Sequence, residues 1–171
     1  MATYKETKGV TILTKDGDPD VFAGTWASGG NLNRNSRQFA SFGTLTAGVV
    51  AGGAPGTVPS SAEVEEYNGT AWSEVNNMNT GKNMATSAGD SGSNALANGG
   101  SRGSPNPAAT QTEIWNGTSW TELNDYATNR NASQATGAIS MSSAILAGGE
   151  PRSAVVEEWN APLANKTITS S

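Results

Sequence analysis

A chain of 171 residues is about one domain long. Its formal net charge of −5, with only 10 basic residues spread along the sequence, excludes the basic patch that nucleic acid or anionic lipid requires. The absence of cysteine and histidine removes disulfides, thiolate catalysis, Cys-ligated metal sites and the commonest general base. The 7 Leu, 5 Ile, 9 Val and 3 Phe are about 14% of the chain, below the roughly 20% at which a thick aliphatic core becomes doubtful. Low charge and periodic aromatics set the sequence apart from disordered chains, which pair low hydrophobicity with high net charge. Thin layers of small residues, closely stacked, are the expected alternative. No window approaches the roughly 20 apolar residues of a membrane span, so membrane insertion is not expected. The opening "MATYKETKGV" lacks the apolar heart of a signal peptide, and synthesis in the cytoplasm is expected.

Residues 1–21 read as an N-terminal segment with one strand in "ETKGVTILTKDG", able to anchor the protein or close a sheet. It ends in "DGDPD", where Asp16, Asp18 and Asp20 have the spacing that opens a calcium loop. Val21 then stands where that loop needs Gly, and Ala27 where it needs a bidentate Glu. A polar turn is expected there; no metal and no cofactor are expected anywhere in the chain.

From residue 22 to residue 160 the chain repeats itself three times, over about 22–67, 68–115 and 116–160. Each repeat opens near a Trp, at Trp26, Trp72 and Trp120. A short segment follows ("QFASFG", "MATSAG", "SQATGA"), then a small-apolar run ending in a glycine pair: Gly52-Gly53, Gly99-Gly100 and Gly148-Gly149. The Trp and Gly-Gly landmarks recur every 46 to 49 residues. The runs "TAGVVAGG", "SNALANGG" and "SSAILAGG" are too short for helices and read as buried strands. After a variable polar loop come "AEVEEYN", "TQTEIWN" and "AVVEEWN", where charged and apolar residues alternate as in a strand with one wet face. Each holds an aromatic, Tyr67, Trp115 or Trp159, followed by Asn. In the first two copies Asn-Gly follows, the strongest short hairpin signal, predicting a two-residue type I′ turn into the next Trp strand. The third copy, "EWNAPLA", lacks the glycine and marks the end of the repeats. Residues 161–171, with "NKTITSS", read as a C-terminal strand or cap.

Four antiparallel strands in each repeat of this length suit a propeller blade. A small-apolar strand ending in Gly-Gly, then an aromatic, then a Trp after a tight turn, as in "VVAGG…EEYNGTAW" and "ALANGG…EIWNGTSW", resembles the kelch signature. With "WASGGNLNRNSRQ", the sequence is similar to kelch-like proteins of marine bacteriophages. That resemblance implies an all-β fold of kelch-like β-propeller blades, three four-stranded repeats of antiparallel sheets. It also implies a non-enzymatic virion structural protein of the tail, a fibre or an appendage, with a part in host attachment. A head decoration protein and a carbohydrate-binding lectin are the alternatives. Propellers commonly have roughly four to eight blades. Three leave open edges, so completion by a homo-oligomer, dimer or trimer, or by other virion proteins is expected.

The remaining candidates have plain structural readings. Asn68, Asn116, Asn131 and Asn165 stand in glycosylation sequons, two of them at the predicted turns. Glu63, Glu65, Glu66, Glu157 and Glu158 could supply the carboxyl pair of a glycosidase, at separations of roughly 5–10 Å. Their recurrence at equivalent positions points instead to a solvated strand face, and no catalytic residue is expected. The six repeated aromatics are expected to fill the space between sheets, although Trp also stacks on sugars. If host surface glycans are bound, the variable loops 54–62, 101–111 and 150–154 are the expected contacts.

Overall fold

The computed structural model describes residues 25–101, 109–130, 134–136, 143–150 and 152–161. Among them the protein is all-β, with antiparallel sheets and no helix. In chain order the strands are β1 (Ala40–Thr44), β2 (Ala47–Ala51), β3 (Val64–Tyr67), β4 (Trp72–Val75), β5 (Thr86–Ser91), β6 (Asn94–Asn98), β7 (Thr112–Trp115), β8 (Trp120–Glu122), β9 (Gln134–Thr136), β10 (Ser143–Ala147) and β11 (Val156–Asn160). They form three sheets in simple sequential order, β1-β2-β3-β4, β5-β6-β7-β8 and β9-β10-β11. The first strands of successive sheets lie side by side, β1 against β5 and β5 against β9.

The repeat unit defined by hydrogen bonding starts one strand later than the repeat counted from Trp. Trp72 pairs with Tyr67 and Trp120 with Trp115, so each Trp strand closes a sheet instead of opening one. Trp26, the first of the series, lies in no strand and is fully exposed, where packing between sheets was expected. The predicted strands at 6–17 and 165–171 lie outside the described residues.

The small-residue strands explain how so few aliphatics build a core. Along β6, Ala95 and Ala97 point to one face and Leu96 to the other, the two-residue alternation of any strand. Ala95 and Ala97 pack with Trp115 and Trp120 against Ala40, Phe42, Val49, Ala51 and Val64 of the first sheet. Leu96 packs with Ala88 and Ile114 against Ala144 and Trp159 of the third. The middle sheet is thus covered on both sides, and the Ala-Leu-Ala centre of β6 is apolar on both faces. Phe42 meets the edge of Trp120 with centroids 6.2 Å apart and planes at 73°, an edge-to-face contact suited to the ring quadrupoles.

Two local devices shape each sheet. At the glycine pairs the chain adopts positive φ, 56° at Gly99 and 93° at Gly100, while neighbouring segments press close. A Cβ on Gly99 would stand 1.9 Å from the Tyr126 hydroxyl, and one on Gly100 2.4 Å from the Asn83 carbonyl oxygen. Glycine is therefore required by backbone and by space. The hairpins differ from the predicted two-residue turn. With Tyr67 opposite Trp72, the connection is the four residues 68–71, and only Gly69 has positive φ. The Asn68 side chain accepts hydrogen bonds from the amides of Thr70 and Ala71, both at 3.0 Å, and Asn116 does the same for Thr118 and Ser119. An Asn side chain that caps its own turn makes the second positive φ unnecessary. Asn116→Ala should cost about 1 kcal/mol, as other lost side-chain caps do, read as a lower urea midpoint with unchanged slope.

Candidate functional site

The charged residues most suggestive of chemistry are occupied in holding the sheets. Glu65, Glu113 and Glu157 stand at matching places on β3, β7 and β11. Glu65 is fully buried, which corrects its reading as part of a solvated face, and Glu113 is fully buried as well; Glu157 is half-buried. Each carboxylate receives the backbone of a loop arriving from the preceding segment. Glu65 accepts from the Asn33 amide at 2.8 Å and its side chain at 3.0 Å. Glu113 accepts from the Asn79 amide at 2.7 Å, the Asn79 side chain at 3.0 Å and the Thr80 amide at 3.1 Å. Glu157 accepts from the Ala127 amide at 2.6 Å and the Thr128 amide at 3.0 Å.

A cation completes each arrangement. Arg34 lies 3.3 Å from Glu65, Lys82 3.2 Å from Glu113 and Arg130 3.2 Å from Glu157. The same cations bond the carbonyls of Glu63 at 2.7 Å, Gln111 at 3.4 Å and Val155 at 3.3 Å, the residue two before each carboxylate. Burial of a charge is tolerated here because each one is paired and hydrogen-bonded. The signal was visible at positions 34, 82 and 130, each a basic residue followed by Asn. It is easily passed over because the partner carboxylates look like the wet half of an alternating strand. Burial would raise the Glu157 carboxyl, but the Ala127 and Thr128 hydrogen bonds and the Arg130 charge outweigh it and hold the group below its ordinary range.

A concavity lies where the second and third sheets meet. It has a volume of about 270 Å³ and is lined by Asn98, Asn124, Asp125, Tyr126, Glu158 and Trp159, among others. Tyr126 forms one wall; its hydroxyl lies 2.6 Å from the Ala109 carbonyl oxygen and 2.9 Å from that of Arg130, whose guanidinium sits 5.5 Å from the ring centroid. Burial pushes the Tyr126 hydroxyl up to about 12, against the lowering effect of Arg130 and with additions from Glu157 and Asp125. The folded state therefore keeps a proton that the unfolded chain loses near pH 10. This contribution to stability is complete below pH 10 and should disappear as pH rises through about 12. Tyrosinate absorbance during an alkaline titration should show a late step near pH 12, and Tyr126→Phe should remove it.

The predicted landmarks divide into several environments. Trp115 and Trp120 are buried, with ring centroids 5.1 Å apart, and Trp115 donates to the Gly92 carbonyl at 2.7 Å. Tyr67 and Trp72 form the same pair at 5.0 Å on the outer face of the first sheet, where both are half-buried. Trp159 packs against the middle sheet and lines the concavity. Asp16, Asp18 and Asp20 lie outside the described residues, as do Asn131, Asn165 and most of the loop 101–111. Among the described residues no group of three acidic side chains is arranged to hold a metal ion. No helix among them is long and apolar enough to cross a membrane. No protein-family model matches the sequence, and a search of curated proteins returns no match.

Proposed function

We propose that the protein is a non-enzymatic structural component of a bacteriophage virion, a tail, fibre or appendage protein built from kelch-like propeller blades. The observation that carries this reading is the repeated unit itself. Successive antiparallel sheets stack face to face with their first strands adjacent, as blades do around an axis. One carboxylate in each repeat, Glu65, Glu113 or Glu157, is engaged with a loop amide and a cation, the kind of contact a scaffold repeats. The test is mass spectrometry of purified particles from an infected host: the chain should co-purify at a fixed stoichiometry, and its absence from intact particles would end the virion reading.

A second reading, a carbohydrate-binding module, is favoured by the concavity between the second and third sheets. Amides, the carboxylates of Asp125 and Glu158 and the rings of Tyr126 and Trp159 are the groups that bind sugar hydroxyls and stack on sugar rings. A glycan array probed with the purified protein tests it: binding lost in Asp125→Ala would support a lectin, and no binding to any glycan would leave the scaffold alone.

A further inference from the structure

We infer that two copies of this chain close head to tail, with residues 26–29 of one copy serving as the fourth strand of the other copy's third sheet. The inference rests on the propeller reading for the number of copies but not for the contact itself. It begins with a spacing. Trp26, Trp72 and Trp120 each stand seven residues before Asn33, Asn79 and Ala127, whose amides bond to Glu65, Glu113 and Glu157. For Trp72 and Trp120 the structural meaning is plain. The Trp lies in the last strand of one sheet, and the loop that follows is held by the carboxylate of the next sheet. By the same rule Trp26 belongs to the last strand of a sheet that precedes the first, and the described residues contain no such sheet.

Among the described residues, the third sheet is the one that lacks such a strand. β11 is at its edge, whereas its counterparts β3 and β7 are each paired with a Trp strand, in the registers Tyr67 to Trp72 and Trp115 to Trp120. Extending that register sets Trp26 of a second copy opposite Trp159. The outer face of the third sheet is also open. Val49 and Leu96, buried against the following sheet at 1% exposure, correspond to Ile145 at 41%; Val64, at 0%, corresponds to Val156 at 56%. Across the new junction these side chains would meet the half-buried Tyr67 and Trp72, just as Phe42 meets Trp120 inside the chain. The proposed contact thus continues an interface the chain already makes twice with itself.

Residues 26–29 of the same chain cannot supply the strand. Gly30 is fixed on the outer side of the first sheet by a 3.1 Å hydrogen bond from the Trp72 ring nitrogen. The first and third sheets lie on opposite faces of the second, about 20 Å apart at the usual sheet spacing. Four residues from Gly30 back to Trp26 span at most about 14 Å. Head-to-tail contacts close when their rotation completes a circle. Three sheets per chain make six in a pair, inside the roughly four to eight of closed propellers, whereas three copies would make nine.

Light scattering of the full chain should give twice the chain mass of 17.4 kDa. Ile145→Glu with Val156→Glu should reduce it to a single chain with the β-sheet circular dichroism retained, while Leu45→Ser, at an exposed site away from the junction, should leave the dimer intact. Because the sequence has no cysteine, Trp26→Cys with Trp159→Cys offers a direct readout: oxidation should produce a crosslinked dimer on a non-reducing gel. A wild-type chain that remains single at 100 micromolar, or a crosslink formed within one chain, would overturn the inference. Neither result depends on whether the protein is found in virions, so the two readings fail separately.

Discussion

Glu113→Ala should destabilise the fold by about 3–5 kcal/mol, the usual cost of removing one member of a buried ion pair. The reasons lie in what is left behind. Lys82 and Glu113 are both fully buried, so the ammonium would remain inside without its counter-charge. The amides of Asn79 and Thr80 would lose their acceptor as well, and an orphaned buried donor costs about 1–3 kcal/mol. Lys82→Met should be comparably harmful, since it leaves the carboxylate uncompensated. The double variant Lys82→Met, Glu113→Gln should lose less than the sum of the singles, because no bare charge remains and the Gln oxygen still accepts from the loop. Urea unfolding of the four proteins in a cycle measures this coupling. Strict additivity would mean that the pair contributes nothing beyond its separate hydrogen bonds.

Trp115→Ala is expected to cost a similar amount, about 3–5 kcal/mol, by a different mechanism. Its ring is 1% exposed, stacked at a tilt on Trp120 and joined to the Gly92 carbonyl. Truncation would open a cavity between the first two sheets, in a core whose neighbours are mostly Ala and Val and cannot collapse to fill it. Trp115→Phe should retain most of the packing and lose mainly the hydrogen bond. Tyr67→Ala makes the informative comparison, because Tyr67 holds the matching place on an outer face. In a monomer its loss should be mild. If a second copy covers that face, the penalty should grow with protein concentration, as linkage to association requires.

The strands were legible because their signal is local. All three Gly-Gly runs are strands, as are the "VEEY", "TEIW" and "VEEWN" segments, since apolar runs bounded by turn residues and two-residue alternation survive even in an Ala-rich sequence. The site was less legible. Alternation puts Glu65 on the face of Tyr67 and Glu113 on the face of Trp115; whether such a face meets water or a covering loop is a tertiary matter. The loop that covers them comes from about thirty residues earlier in the chain. The membership of the Trp strands was hidden for a related reason. Counting landmarks finds the period but not the phase, and the phase is set by which strands bond across the Asn turns.

That phase has a consequence for how such a protein can lengthen. Each sheet is contiguous in the chain with the loop that its own carboxylate holds, as residues 79–122 are for the second, so successive units join at the short segments that follow the Trp strands. A duplication or deletion of one period with its ends in those segments leaves every sheet whole. What changes is the number of sheets in the arc, and with it the number of chains that a closed ring would need. In the closure proposed above, ring size would follow gene length, one period at a time.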